Sequence, residues 1–452
     1  MSLEGAKRQK IEQIELPLGF TGGSGEAPTA MNGIARLGTD RLMEEAVGHA
    51  NVEQALKQVR RNKGSPGIDG MGVDELPRYV AEHWEVLRMQ LLAGTYQPKP
   101  VKRQEIDKED GGIRILGIPC VLDRFIQQCI LQVLQPRFDP TFSEHSHGFR
   151  PGRGAHKAVS AARRYIQEGR RWVVDVDLER FFDRVNHDVL MGRLAKRITD
   201  KRMLRLIRRY LEAEMMANGI VTERGEGTPQ GGPLSPLLAN VLLDEVDKEL
   251  EKRGHAFARY ADDCNVYVRS RRAGERVMEA LKSLYAGLRL KVNELKSAVA
   301  RVWCRKFLGY SFWVAPGGEV KMRVAPKALK KMKDRIRRMT SRIGGKSMKM
   351  VISGLRKYLT GWKEYFKLAD TPKMFRELDG WVRHRLRAVQ LKQWKCGTTA
   401  YGKLRARGLA ARDARVVASH MGHWWKASEC GLVLAALPPR YFDQLGVPRL
   451  AA

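Results

Sequence analysis

Cysteine is scarce in this chain, and sequence features that would direct it to a membrane are missing. The 452 residues include six cysteines, none of which form a Cys-x-x-Cys pair. This argues against a structural zinc site and against a disulfide framework. No segment is both long enough and apolar enough to span a bilayer, and the first residues lack the apolar stretch of a secretory signal. We therefore expect a protein of a reducing compartment with no membrane partner.

Acidic residues are also few relative to basic ones. The chain has 82 Lys and Arg against 50 Asp and Glu, a net charge of +32, which bears on partners rather than on fold. From Lys321 to Ala400, 23 Lys or Arg face 5 Asp or Glu. Solvated basic helices are the plain explanation of such a run, but aromatic residues are interleaved with these cations: Tyr358, Trp362, Tyr365, Phe366, Trp381 and Trp394. The mixture favours a nucleic-acid partner, bound through phosphates and unpaired bases.

The most informative segment is His255–Arg269, where two short apolar runs flank Tyr260–Asp263, with the sequence Tyr-Ala-Asp-Asp. This pattern predicts a β-hairpin that holds Asp262 and Asp263 at its tip. Most Asp-Asp pairs in turns merely face solvent. Two fixed carboxylates can nevertheless form half of a divalent-metal site, which usually needs another acid from a separate element.

A second β-rich run, Arg171–Leu178, can supply that acid. Residues alternate between the two faces of a strand, so Asp175 and Asp177 are predicted to lie on the same face. From the pattern alone, either could face the hairpin.

Five motifs occur in the same order as in the reverse transcriptases and maturases encoded by bacterial group II introns, and the chain resembles that family from about Val52 onwards. The motifs are Gly112–Pro119 with Asp123 and Arg124, Ser146–Arg153, Asp175–Asp183 with Asn186 and His187, Gly227–Pro236, and Phe307–Phe312. The resemblance implies an α+β fold of the right-hand polymerase type, with fingers and a palm built on antiparallel sheet, followed by an α-helical thumb. The chain stops where many relatives add a zinc-containing HNH endonuclease, so it is similar to the class C-like members that lack this domain.

This resemblance, together with composition, predicts five segments. They are a flexible N-terminal tail (1–40), an N-terminal extension and fingers (41–170), a palm (171–318), a thumb or maturase domain (319–395) and a DNA-binding region (396–452).

For catalysis, the resemblance implies two Mg²⁺ ions and deoxynucleoside triphosphate substrates. Asp177, Asp262 and Asp263 would be the catalytic residues. They would also bind metal, together with the main-chain carbonyl of Leu178. Asp175 would then be a structural partner.

The resemblance also implies residues that bind the nucleotide. Lys108 and Arg114, on the arms of a predicted hairpin, match cations that clamp the triphosphate. Phe182 matches an aromatic residue that excludes a 2′-hydroxyl, although Phe181 and Phe182 could both belong to the palm core.

Two further nucleotide-binding residues follow from the same motifs. Gln230 lies in a loop rich in glycine and proline and would contact the template nucleotide. Lys296 would approach the nucleotide phosphates, and an ordinary surface lysine is the alternative. Elsewhere we predict that nucleic acid is bound by Arg150, Arg153, Tyr358, Trp362, Lys363, Arg383, Arg385 and Trp394.

The predicted function is that of an RNA-directed DNA polymerase and maturase. It would bind its group II intron RNA, assist splicing, and copy the intron into DNA from a primer at a target site during retrohoming. Without an endonuclease, insertion would rely on a primer made elsewhere. We expect it in the bacterial cytoplasm, at the nucleoid when acting on DNA. Two alternatives stay open: a domesticated relative in DNA repair or phage defence, and a splicing-only RNA-binding maturase. The sequence leaves the oligomeric state undetermined.

Overall fold

The structure, a computed structural model, describes residues 40–107, 113–217, 220–222, 226–228, 231–420 and 422–451. The predicted tail up to residue 39 and the predicted nucleotide contacts Lys108 and Gln230 lie outside the described residues. Arg114 belongs to a described strand, but its side chain lies outside the description.

Helices and strands alternate through the first three quarters of the described chain, and helices alone follow. The helices are α1 (Leu42–Ala46), α2 (His49–Asn62), α3 (Leu76–Ala93), α4 (Val121–Phe138), α5 (Ala155–Gln167), α6 (His187–Ala195), α7 (Lys201–Glu212), α8 (Ser235–Lys252), α9 (Arg271–Gly287), α10 (Pro326–Met339), α11 (Met348–Tyr365), α12 (Pro372–Gln393), α13 (Gly397–Arg405), α14 (Ala411–Ser419), α15 (Trp424–Ala427), α16 (Gly431–Ala436) and α17 (Pro439–Gln444). The strands are β1 (Val101–Asp107), β2 (Ile113–Ile118), β3 (Trp172–Val176), β4 (Met215–Ala217), β5 (Ile220–Thr222), β6 (Ala256–Tyr260), β7 (Asp263–Val268), β8 (Ala298–Arg301), β9 (Lys306–Phe307), β10 (Tyr310–Val314) and β11 (Val320–Val324). Within the described ranges, no helix has the length and apolar character needed to cross a membrane.

The chain divides into two compact units. The first comprises the residues up to Phe142, Arg180–Leu243 and Leu288–Leu290, and the second comprises Ser143–Glu179, Asp244–Gly287 and the residues from Lys291 onwards. This division differs from the predicted boundary between fingers and palm, because α5 joins the palm strands in the second unit.

Helix α4 lies at the centre of the first unit. Its residues are buried on nearly all sides, because α1 and α2 pack against it. The sheet of this unit has the order β2-β1-β4-β5, in which β1 and β2 form the expected antiparallel hairpin. Helix α4 also carries a buried carboxyl, Asp123, which accepts a hydrogen bond from the Tyr96 hydroxyl at 2.8 Å. Burial raises the pKa of Asp123 to about 6.

The second unit is built on an antiparallel sheet of order β6-β7-β3-β8. Its two faces are covered by different helices, because alternate residues of a strand point to opposite faces. On one face, the rings of Tyr165 in α5 and Tyr267 in β7 lie 5.8 Å apart. On the other, Gly274 lets α9 lie close to the sheet: a Cβ there would come within 2.5 Å of Val299.

Helices α10 to α12 and the helices that follow them share one apolar core with this sheet. A smaller sheet of order β11-β10-β9 leads into α10. The buried residues continue from α5 through Trp362 in α11 and Leu386 in α12 to Phe442 in α17. The predicted DNA-binding region 396–452 therefore shares its packing with the predicted thumb.

Candidate active site

The predicted metal hairpin is formed by β6 and β7. Tyr260 pairs with Asp263, so that Ala261 and Asp262 form the turn. Ala261 has a φ of 58°, a left-handed conformation that costs a residue with a side chain about 1–2 kcal/mol. Asp262 stands at the tip, as the sequence predicts, and Asp263 is the first residue of β7.

A buried ion pair supports this strained turn. Arg259 is 1% exposed and Asp247 is 0% exposed, and Nη2 of the arginine lies 2.5 Å from Oδ2 of the aspartate. Burial opposes the charge on Arg259, but Asp247 outweighs it and raises the pKa of the guanidinium. Nη1 donates to the carbonyl of Ala261 at 2.8 Å, and Nη2 also donates to Oγ of Ser146 at 2.8 Å. Removing one partner of such a buried pair costs about 3–5 kcal/mol, and the hydrogen bond from Arg259 ties the pair to the turn.

The segment Ser146–Arg153, which resembles a fingers motif, lies against the back of the hairpin. The amide of His147 donates to the carbonyl of Arg259 at 2.8 Å. A Cβ at Gly148 would lie 2.2 Å from the nitrogen of Ala261. Backbone meets backbone here, so the position accepts only glycine without displacing the turn.

Arg150 and Arg153, which were predicted to bind nucleic acid, are engaged inside this segment. Arg150 is buried and donates to the carbonyls of Ser143 at 2.5 Å and Ser146 at 3.0 Å. The side chain of Arg153 is 18% exposed and pairs with Glu144 at 2.7 Å. The prediction for Arg150 is therefore corrected: its guanidinium is buried and supports the loop, where a phosphate could not reach it. Arg153 retains a small exposed surface, and its role in binding stays a prediction.

Asp177 directly follows β3, which lies beside β7 in the sheet. Val176 pairs with Cys264, and one further step along this register brings Asp177 opposite Asp263. Both predicted metal elements therefore meet at one end of the sheet.

The main chain around Asp177 is held by the loop 291–297. The amide of Asp177 donates to Oγ of Ser297 at 3.0 Å, and its carbonyl accepts from the amide of Asn293 at 2.8 Å. Leu178, only 5% exposed, forms a bridge with Val292. The role of the Leu178 carbonyl as a ligand stays a prediction, but its backbone is fixed.

Four carboxylates influence one another at this site. Burial, and then the charges of Asp175, Asp262 and Asp177, raise the pKa of Asp263 to about 8. Burial also raises the pKa of Asp175, although Arg305 offsets part of this effect by donating from Nε at 2.6 Å. A divalent cation would relieve such repulsion, and Mg²⁺ prefers carboxylate oxygens. The donor set therefore fits the ion.

Across the described ranges, no group of three or more Asp, Glu, His or Cys side chains is already arranged to hold a metal ion. The strand register places Asp177 near the hairpin acids, and its charge contributes to the raised pKa of Asp263. The binding of two Mg²⁺ ions by Asp177, Asp262 and Asp263 stays a prediction.

Phe181 and Phe182, in the first unit, differ in burial. Phe181 is 2% exposed and belongs to the core, whereas Phe182 is half-buried. The motif Gly227–Pro236 is hydrogen-bonded to this segment. The amide of Thr228 donates to the carbonyl of Phe182 at 2.7 Å, and the amide of Gly227 donates to the carbonyl of Val185 at 2.8 Å. Of the two, Phe182 keeps more accessible surface, and its role beside the sugar stays a prediction.

Lys296 lies in the loop 291–297, and its side chain is exposed. Its carbonyl accepts a hydrogen bond from Arg305, which also pairs with Asp175. The loop is thus tied to β3, the strand that directly precedes Asp177. Contact between Lys296 and a phosphate stays a prediction.

Of the predicted nucleic-acid contacts in the thumb, three are buried. Trp362 is 8% exposed and Trp394 is 5% exposed, and both belong to the apolar core. Arg383 is 3% exposed and pairs with Asp443 at 2.5 Å. The predictions of stacking for the two tryptophans and of phosphate binding for Arg383 are therefore wrong, because these groups face the interior.

The other three keep accessible surface. Tyr358 and Lys363 are both half-buried, and Lys363 donates to a carbonyl at 2.9 Å. The guanidinium carbon of Arg385 lies 5.4 Å from the ring centre of Trp381. Their contacts with nucleic acid stay predictions.

The Arg259–Asp247 pair was missed by the sequence analysis. A sequence signal existed: Arg259 interrupts an apolar strand, and Asp247 adjoins Val246 on the apolar stripe of α8. Opposite charges in two apolar patterns are the signature of a buried pair.

The sheet, the hairpin and the aspartates are those of a polymerase, and the comparisons specify which kind. Residues 106–312 match the family model described as reverse transcriptase (RNA-dependent DNA polymerase). Residues 329–408 match the group II intron, maturase-specific domain. The chain belongs to the family of group II intron-encoded reverse transcriptases and maturases, which confirms the family resemblance, the fold class and the assignment as an RNA-directed DNA polymerase.

Three similar proteins illustrate the extent of the match. Protein YkfC of Escherichia coli (strain K12) is 31% identical over 290 residues, covering 55% of this chain and 76% of YkfC. Group II intron-encoded protein LtrA of Lactococcus lactis subsp. cremoris is 37% identical over 195 residues, covering 43% of this chain and 32% of LtrA. Among solved structures, a partial Cas6-RT-Cas1–Cas2 complex is 25% identical with a TM-score of 0.36, covering 55% of this chain and 42% of the other.

Proposed function

We propose that this polymerase binds a group II intron RNA as a ribonucleoprotein, assists its splicing, and copies it into DNA from a primer at a target site during retrohoming. The polymerase part is supported chiefly by the register of β3 with β7, which brings Asp177 to the acids of the hairpin. The RNA part is supported by the match to the maturase-specific domain.

In the reaction, the 3′-hydroxyl of a primer attacks the α-phosphate of a deoxynucleoside triphosphate. A bond forms between that oxygen and the α-phosphorus, and the bond to pyrophosphate breaks. Two Mg²⁺ ions, when bound, lower the pKa of the hydroxyl and stabilise the charge on the leaving group. Asp177, Asp262 and the carbonyl of Leu178 would hold the ions, and Asp263 would add negative potential.

Other residues of the chain would select and orient the nucleotide. The ring of Phe182 would lie beneath the sugar and leave no room for a 2′-hydroxyl. Lys108 and Arg114 would neutralise the triphosphate, Gln230 would contact the template nucleotide, and Lys296 would approach the phosphates.

Primer extension on an RNA template tests the polymerase. With the intact chain, we expect magnesium-dependent DNA synthesis, reduced about 10³-fold or more by Asp262→Ala, because losing a metal ligand removes several kcal/mol of transition-state stabilisation. Glu275→Ala, which removes an exposed carboxylate from α9, is the matched control. If the intact chain made no DNA with magnesium, the polymerase proposal would be overturned.

The maturase part has a separate test. We expect the purified protein to accelerate splicing of the intron RNA that surrounds its reading frame at magnesium concentrations where the RNA alone splices slowly. The DNA flanking the reading frame should therefore encode a foldable group II intron. Active polymerase in a gene without such an intron would favour the domesticated alternative.

A further inference from the structure

The end of the central sheet opposite the catalytic carboxylates carries cations and tryptophans. Trp172 begins β3, and the register pairs it with Val268 at the end of β7 and with Arg301 at the end of β8. At about 3.3 Å per residue, this end lies roughly 17 Å from Asp177 along β3. All of these residues belong to the second unit.

Arg301 lies within cation–π distance of two indole rings at this end. Its guanidinium carbon lies 4.5 Å from the ring centre of Trp172 and 5.4 Å from that of Trp303. Trp303 is 42% exposed, and Arg301 is exposed as well. An exposed indole beside an exposed guanidinium is typical of the surfaces on which unpaired bases stack.

A basic cavity of about 450 Å³ lies at the same end of the sheet. It is lined by Arg170, Arg253, His255, Arg269 and Arg276 around an apolar floor that includes Val268, the strand partner of Trp172. The volume is within the range of sites that hold small ligands, about 300–1,000 Å³.

The arginines of this cavity differ in their partners. Arg170 pairs with Glu168, and Arg253 pairs with Glu249 at 2.8 Å. In the part of the chain that the structure describes, neither Arg269 nor Arg276 forms an ion pair, and both are exposed. Two guanidinium groups on one rim without acidic partners suit phosphate groups, which they bind through paired hydrogen bonds.

We propose that this sheet-end surface, defined by Trp172, Arg269, Arg276, Arg301 and Trp303, binds a single-stranded segment of nucleic acid. Its phosphates contact Arg269 and Arg276, and an unpaired base stacks on Trp303. Bases inside a duplex are closed to such stacking, so the surface discriminates by strandedness rather than by sequence. The proposal rests on the proposed nucleic-acid function but adds a site distant from the catalytic end of the sheet.

Binding of labelled oligonucleotides of about 12 nucleotides to the full chain, measured across a salt series, tests this surface. Trp303→Ala should weaken binding by about 5- to 100-fold, as expected for losing one stacked base, and Trp303→Phe should restore much of it. Arg269→Ala with Arg276→Ala should reduce the magnitude of the slope of log K against log salt by about 1.4, since each phosphate contact contributes about 0.7.

The matched control removes two cations at other positions of α9, the helix that carries Arg276. Arg271→Ala with Lys282→Ala changes the net charge equally, and these side chains pair with Glu275 and Glu279. The control should therefore leave both the affinity and the salt slope close to those of the unaltered chain.

Oligonucleotides of the same sequence made of RNA and of DNA show which of the two nucleic acids the surface binds more tightly, and a preference for either one supports the site. Wild-type affinity in Trp303→Ala, or equal losses for the Arg269/Arg276 variant and the control, would overturn the proposal, as would an equal effect of Trp303→Ala on duplex binding. Primer extension on a saturating primed template is run in parallel and should be unchanged. A chain that lacks synthesis but shows these binding losses would contradict the proposed polymerase function and leave this site standing.

Discussion

At the residue scale, the position of the hairpin that carries Asp262 and Asp263 depends on a few close contacts behind it. Ala261 adopts a left-handed conformation in the turn, and Gly148 leaves no space between its own backbone and the nitrogen of Ala261. The strain in the turn is therefore offset by close backbone contacts, which a residue without a side chain, such as Gly148, makes possible.

We expect Gly148→Ala to reduce DNA synthesis by about 10- to 100-fold while the protein stays folded. The added Cβ would lie 2.2 Å from the nitrogen of Ala261, so the turn must move, and displacements of about 1 Å are enough to cost about 10²-fold in rate. Primer extension and urea unfolding measure the two effects. Gly154→Ala is the control, since its φ is extended at 175° and nothing lies within 4 Å of the new Cβ. Equal activity of the two variants would contradict the expected role of Gly148.

At this scale the sequence revealed the acids but not their support. Asp262 and Asp263 are adjacent, and Asp175 and Asp177 alternate within one strand, so both pairs follow from local pattern. The bond from Arg259 to Ser146 joins residues 113 positions apart. No local spacing encodes a contact of that kind, and only folding brings the two segments together.

At the element scale, β3 and the loop 291–297 act as one support for Asp177. The sequence predicted a strand over Arg171–Leu178, and β3 covers Trp172–Val176 within it. Pairing along β3 stops before Asp177, and Ser297 then accepts the hydrogen bond of its amide.

We expect Ser297→Ala to lower kcat by about 10-fold with little change in KM for the nucleotide. Without Oγ, the half-buried amide of Asp177 loses its hydrogen-bond acceptor. This costs about 1–3 kcal/mol, and Asp177, the predicted metal ligand, is held less firmly in position. Steady-state primer extension separates kcat from KM. Ser297→Thr retains the hydroxyl and should restore the rate, and Ser283→Ala on α9 is an exposed control. A Ser297→Ala enzyme with the unaltered kcat would show that the loop does not position Asp177.

At the scale of the whole molecule, the order of motifs predicted the fold class correctly. Composition, however, pointed to buried tryptophans as the residues that would stack on nucleic-acid bases. Interleaved cations and aromatic residues identify a basic aromatic region, but they do not distinguish a ring in the core from a ring on the surface. Trp362 and Trp394 belong to the core that joins the central sheet to the C-terminal helices. Trp303, outside the basic stretch, is 42% exposed.

We therefore expect Trp362→Ala to destabilise the fold by about 3–5 kcal/mol, the usual loss for a large buried side chain. Met350→Ala, on the same helix at a residue that is 61% exposed, should change stability little. Urea unfolding followed by circular dichroism measures both. A Trp362→Ala protein of unaltered stability that binds RNA more weakly would restore the stacking role and contradict its place in the core.

Because the Arg259–Asp247 pair is buried, its attraction responds to ionic strength differently from contacts between exposed cations and phosphates. Mobile ions cannot reach charges that are 1% and 0% exposed, so salt hardly weakens the attraction that fixes the hairpin. Contacts between exposed cations and phosphates weaken steeply as salt rises. The same chain can thus be released from its nucleic acid at high salt while its catalytic hairpin stays in place, ready to act again once the salt is diluted.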